Sequence, residues 1–146
     1  MKLSPNFSLE EFTFSQTATR YNIDNTPSAE IIKNLTISAN GMERVRTLLG
    51  NKTIMITSGY RCPVLNKKIG SGPGSDHPNG WCVDFICPKY GTPVQIVNLL
   101  KDSDIEFDQL IEEGTWVHIS FSPKNRRQVM TASFDSKGKA SYKDIS

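Results

Sequence analysis

Two histidines, His77 and His118, are the only imidazoles in the chain, and an aspartate, Asp84, stands seven residues after the first of them. The run Ser75 to Phe85 reads SDHPNGWCVDF, and His118 lies in WVHISF. Two imidazoles and one carboxylate meet the needs of a catalytic zinc ion, which takes three protein ligands and leaves one position for water. The helical HExxH arrangement is absent, so such ligands would come from a loop and from strands. Each residue also has an ordinary reading. His77 could be a surface residue beside a turn, Asp84 a strand-end cap, and His118 a hydrogen-bonded core histidine.

The elements that would have to position these residues can be read along the chain. SLEEF opens with Ser8 and carries Glu11 three residues on, the pattern of a capping box at the start of a short helix. A longer helix is expected from Ser28, with an apolar stripe at Ile31, Leu35, Met42, Val45 and Leu49 and a stop at Gly50. TIMITSGY predicts a strand ending in a turn, and CPVLNKKIG a short helix with Pro63 in its first turn. Lys67 and Lys68 read as surface charges of that helix. SGPGSDHPNG is loop, WCVDFICP a strand closed by Pro88, and TPVQIVNLLKDS a helix. DQLIEE and WVHISF predict a hairpin turning at Gly114 and Thr115. RRQVMTASF is expected to be a further strand at a sheet edge, followed by a polar, frayed tail over 135–146. This order predicts an α+β fold, with N-terminal helices packed on a mostly antiparallel sheet.

The 146 residues suffice for one domain, with its core over about 3–134. A net charge of +2 with one short basic cluster, PKNRRQ, does not support nucleic-acid binding. Three cysteines, Cys62, Cys82 and Cys87, form no disulfide framework and no CxxC. They read as buried small hydrophobes, although Cys82 shares strand parity with Asp84 and raises a rival thiolate site. No apolar run reaches the length of a membrane span, so no membrane insertion is expected. MKLSPNFSLEEF shows no apolar leader. The expectation is therefore synthesis in the cytoplasm, as a monomer.

The combination TSGYRCPVLNKKIG, SDHPNGWCVDF and FDQLIEEGTWVHISF resembles the zinc D-Ala-D-Ala carboxypeptidase family of peptidoglycan metallopeptidases. That family shares its metal site with lysostaphin-type enzymes and the hedgehog signalling domain. Its hallmark, S-x-H-x-x-G-x-x-x-D followed by an aromatic-x-H strand, is matched by Ser75, His77, Gly80 and Asp84, then Trp116 and His118. FSLEEFTFSQTATRYNIDNTP and MERVRTLLG resemble the phage and bacterial branch, and the resemblance spans roughly residues 3–122. The sequence departs from the family at Cys82, where a small alanine is usual, in the loop before Ser75, and in the short segment before Trp116.

The resemblance implies a hedgehog/D,D-peptidase-like fold with one zinc ion on His77, Asp84 and His118. It implies hydrolysis of peptidoglycan stem peptides, by a D,D-carboxypeptidase or an endopeptidase of the phage lysis type. Access to the wall would come through a membrane-permeabilising partner or within a virion. Amide hydrolysis needs a base. In several family members an acid lies three residues before the last histidine, where this chain has Thr115. Strand alternation favours Glu113, which would share the face of His118, over Glu112 as the alternative. Arg61, Ser75 and Trp116 are the expected substrate contacts, and Tyr60 a core or supporting residue. A different class of function, a non-catalytic zinc-bearing binding module of the hedgehog type, is the rival reading.

Overall fold

The computed structural model describes residues 1–70 and 75–146. The first part of the expected loop, residues 71–74, lies outside them. A small ribbon of β1 (Lys2–Ser4) and β2 (Phe7–Ser8) leads into the short helices α1 (Leu9–Thr13) and α2 (Gln16–Arg20). The long helix α3 spans Ala29–Leu48, and β3 (Met55–Ser58) and α4 (Pro63–Ile69) follow. A 3-10 turn at His77–Asn79 precedes β4 (Cys82–Ile86) and α5 (Pro93–Lys101). The chain closes with β5 (Gln109–Glu112), β6 (Val117–Ser120), β7 (Gln128–Phe134) and β8 (Ala140–Asp144). Helices and a mostly antiparallel sheet make this an α+β fold, as expected.

Local chemistry explains these boundaries. Ser8 and Glu11 form the reciprocal capping box that starts α1, and Thr92 and Gln95 form a second one at α5. The Ser28 side chain caps α3, and Gly50 follows its end at φ 75°. Pro63 opens α4 without needing an amide donor, and Gly70 closes it in the left-handed region at φ 92°.

The main sheet has the order β3-β4-β6-β5-β7-β8. All neighbours are antiparallel except β5 and β7, which run parallel. Register sorts its side chains by period two. Val83, Ile119, Leu110 and Val129 line up across four strands and belong to one buried core with Leu35, Met42 and Val45 of α3 and Ile96 and Leu100 of α5. Asp84, His118 and Ile111 form the adjacent row, whose side chains point to the opposite face. Helices α3 and α5 thus pack on one face of the sheet and leave Asp84 and His118 on the other.

Two expectations need correction. β7 is not an edge strand, because β8 covers its outer side. The tail is not frayed either: Ala140–Asp144 pairs with Met130–Phe134. The hairpin between them is built by Asp135, whose carboxylate accepts from the Lys137 and Lys139 amides, and by Gly138 at φ 79°. A strand at the rim of a sheet is wetted on most of its surface and can be polar throughout. Its composition therefore looks like that of a loose tail.

Candidate metal centre

Three segments deliver the expected ligands to one point. The β4–β6 ladder pairs Asp84 directly with His118, and the His118 Nδ1 to Asp84 Oδ1 distance is 2.9 Å. The 3-10 turn brings His77, with Nε2 at 3.4 Å from the other Asp84 oxygen, Oδ2. The two imidazole rings meet edge to face at 5.4 Å. All three residues are largely shielded from solvent, His77 and Asp84 most completely.

The turn holding His77 is fixed from several sides. Ser75 Oγ accepts from the His77 amide at 3.2 Å. Ser38 of α3 donates to the Gly80 carbonyl at 2.7 Å, and Asn34 to the Asn79 carbonyl at 2.9 Å. Asp76 accepts from the Ser120 hydroxyl at 2.9 Å, tying the turn to the end of β6. Gly80 sits at φ 77°, packed against Leu35 and the Ile31 carbonyl of α3, so a side chain there would be strained and crowded.

His77 Nδ1 lies 2.6 Å from the carbonyl oxygen of Gly59. A carbonyl only accepts, so Nδ1 carries the proton, and in the neutral ring Nε2 presents a lone pair. That nitrogen is buried and has no hydrogen-bond partner among the described residues. A lone pair facing a carboxylate is unfavourable unless a cation lies between them. Burial would raise the Asp84 carboxyl, but the hydrogen bond from His118 and the electrostatic influence of the two imidazoles outweigh it and hold the group well below the usual carboxylate range. Asp84 is therefore an anion, and the donor set suits one zinc ion.

Cys82 completes the cluster on the same side of β4. One donor atom each from His77, Cys82 and His118 lies within 4.8 Å of the others, a grouping able to hold a metal ion. Burial, followed by the charges of Asp84 and Asp76, pushes the Cys82 thiol far up. Without a metal ion, that favours the thiol over the thiolate.

The two candidate bases point differently. Glu113 donates its amide to the Trp116 carbonyl at 3.0 Å, closing a turn in which Gly114 takes φ 84°. Its side chain shares the face of His118, and the two groups feel each other's charge. Burial raises the Glu113 carboxyl above its ordinary value; the Asp84 charge adds to this, while His118, the neighbouring Trp116 indole and Arg61 oppose it. Glu112 pairs with Val117 and Thr131 on the other face. One of its oxygens accepts from the Gly114 amide at 2.7 Å and the other from the Thr131 hydroxyl.

Arg61 follows β3, whose Ser58 lies opposite Asp84. The Arg61 amide donates to the His77 carbonyl at 3.3 Å, and its charge reaches Glu113 and His118. Its Nε is buried without a partner among the described residues. Trp116 Nε1 is likewise unpartnered, and its ring lies 6.3 Å from that of Phe134. Ser75 is committed to the turn by its bond to the His77 amide. Tyr60 is buried, with its amide donating to the Phe12 carbonyl at 2.6 Å.

The sequence reading did not find the strut that holds Arg61. The Asn25 side chain donates to the Thr13 and Tyr60 carbonyls at 2.9 and 3.0 Å and accepts from the Cys62 amide at 2.8 Å. It grips the backbone on both sides of the arginine. The Gly59 carbonyl was also missed, although the glycine stands in the SGYR motif. A Cβ there would lie 2.5 Å from the Phe12 carbonyl oxygen, so only glycine allows this approach.

Residues 5–120 match the family model described as Peptidase M15. The chain belongs to the M15 peptidase family. Membership accords with the zinc dependence of M15 peptidases and with the histidine cluster on the polar face of the sheet. No curated protein matches this M15 peptidase. Among its described residues, no helix is long and apolar enough to cross a membrane.

Proposed function

We propose that this zinc metallopeptidase cleaves peptide bonds of bacterial peptidoglycan, with His77, Asp84 and His118 holding the ion and Glu113 acting as general base. The observation that carries the reading is the orphaned Nε2 of His77. It converges with Asp84 and His118 while Glu113 stands on the same face of the sheet.

Zinc, when bound, polarises a scissile carbonyl and lowers the pKa of a water molecule toward neutrality. The protein's residues do the rest. Glu113 takes the proton of the attacking water and returns it to the departing amine, and its raised carboxyl suits a group that must both accept and release a proton near neutral pH. The Arg61 guanidinium, whose buried Nε has no partner among the described residues, steadies a substrate carboxylate or carbonyl. Trp116, backed by Phe134, walls the cleft. Ser75 contacts substrate only through whatever hydrogen-bonding capacity its hydroxyl keeps beyond the turn. D,D-carboxypeptidase or endopeptidase action in phage-type lysis is the finer form of this proposal, supported by the likeness of the N-terminal segment to the phage and bacterial branch.

The test is digestion of purified peptidoglycan by the zinc-loaded protein, with fragments identified by mass and a chelator as control. Glu113→Gln should keep its zinc and lose about 10²–10⁴-fold in rate. Full activity in that variant would remove Glu113 from the mechanism. A zinc-loaded wild type that releases no fragments would favour the binding-module reading.

A further inference from the structure

β8 lies beyond the family match, which ends at residue 120, yet it reaches the metal-bearing face of the sheet. Glu112 pairs with Thr131 across the parallel β5–β7 ladder. The ladder ends there; carried one step further, the same register would bring Glu113 level with Ala132, which pairs with Tyr142. Glu113, Ala132 and Tyr142 would then form one row on one face, with the smallest side chain in the middle. A methyl group between two long side chains leaves a gap of two strand spacings, about 10 Å between backbones, which a tyrosine and a glutamate side chain extended toward each other can bridge.

We propose that Tyr142 is a positioning residue for the general base, its hydroxyl holding the Glu113 carboxylate turned toward the His77–Asp84–His118 cluster. The proposal rests on the zinc-peptidase reading above. Tyr142 is 54% exposed. Even so, its phenol is pushed up, first by burial, then by the charges of Glu113 and Asp84, with a smaller contribution from hydrogen bonding toward Glu113. No ion pair holds Glu113 among the described residues. A phenol donor would narrow the orientations of the carboxylate without neutralising it.

The experiment is steady-state cleavage of a soluble peptidoglycan fragment by the zinc-loaded full chain. Tyr142→Phe should lower kcat by roughly tenfold, a fraction of what the base itself contributes, with KM, zinc content and melting temperature unchanged. In a Glu113→Gln background the same change should have no further effect, because the two groups act as a unit. Lys143→Ala, whose side chain points to the opposite face, should behave as wild type. Wild-type kcat in Tyr142→Phe overturns the proposal, as does a fall in kcat that tracks loss of zinc or of melting temperature. Additive losses in the double variant also overturn it. Full cleavage by Glu113→Gln alone would remove the base assignment and this proposal together, which separates that failure from a failure of Tyr142 only.

Discussion

At His77 a backbone carbonyl sets the chemistry. Gly59 claims the Nδ1 proton, so the free nitrogen is the one aimed at Asp84. Cys82 poses the opposite problem, since its sulfur is near both histidines while burial keeps its proton on. The two candidates for the third ligand can be separated by substitution. Cys82→Ala, which restores the small residue usual in the family, should still bind one zinc ion per chain. Asp84→Asn should lose at least the ~10–100-fold in affinity that changes around metal ligands bring. Zinc titration of the two variants checks this, and a Cys82→Ala protein that no longer binds zinc would transfer the role to the thiol.

Among the elements, the strand pairs aim the ligands and the loops adjust them. β4 and β6 place Asp84 and His118 opposite each other, but Arg61 depends on a loop segment clamped by Asn25. Removing that clamp strands two carbonyls and one amide. Asn25→Ala should therefore cost on the order of 1–3 kcal/mol of stability and raise KM severalfold through a displaced Arg61, with zinc content kept. Urea denaturation and cleavage kinetics would show it. Unchanged KM together with unchanged stability would mean that Arg61 is held by something else.

Over the whole molecule, the crossover from β6 to β7 is anchored by one buried carboxylate. Asp108 is fully shielded and accepts from the Arg126 amide and from two nitrogens of its guanidinium, at 3.0, 2.9 and 2.9 Å. Hydrogen bonds from Arg126 hold its carboxyl below the ordinary value, against the opposing effect of burial. A depressed folded-state pKa adds stability above the unfolded value of about 4, and that stability is lost as pH falls through the folded value. The zinc-free protein should therefore weaken progressively below about pH 4, and Asp108→Asn should flatten that decline. Parallel urea midpoints for the two proteins at neutral and acid pH would rule the link out.

The same scale shows why the sequence was legible in part. The candidate metal site stood out because histidine is rare in this chain and the fold brings both copies to within 5.4 Å, ring to ring. The caps at Ser8, Ser28 and Thr92, the stop at Gly50 and the hairpin at Gly114 obey local rules and need no knowledge of the fold. The Asn25 clamp, the Asp76–Ser120 bond and the approach of Tyr142 depend on register between distant segments. A polar residue in a loop looks the same whether or not its partner exists. β8 was missed for a related reason, since polar composition describes a rim strand as well as a loose end.

The three proposed ligands come from a turn and two neighbouring strands, with Asp84 and His118 34 residues apart along the chain. An ion at that point is a staple across the middle of the sheet. It closes a long loop that the unfolded chain leaves open, and binding that exists only in the native state adds directly to folding free energy. The three cysteines are unpaired, so no disulfide serves as a crosslink. The metal that performs the hydrolysis would then also tie β4 to β6 through their side chains, beyond the backbone ladder that already joins them.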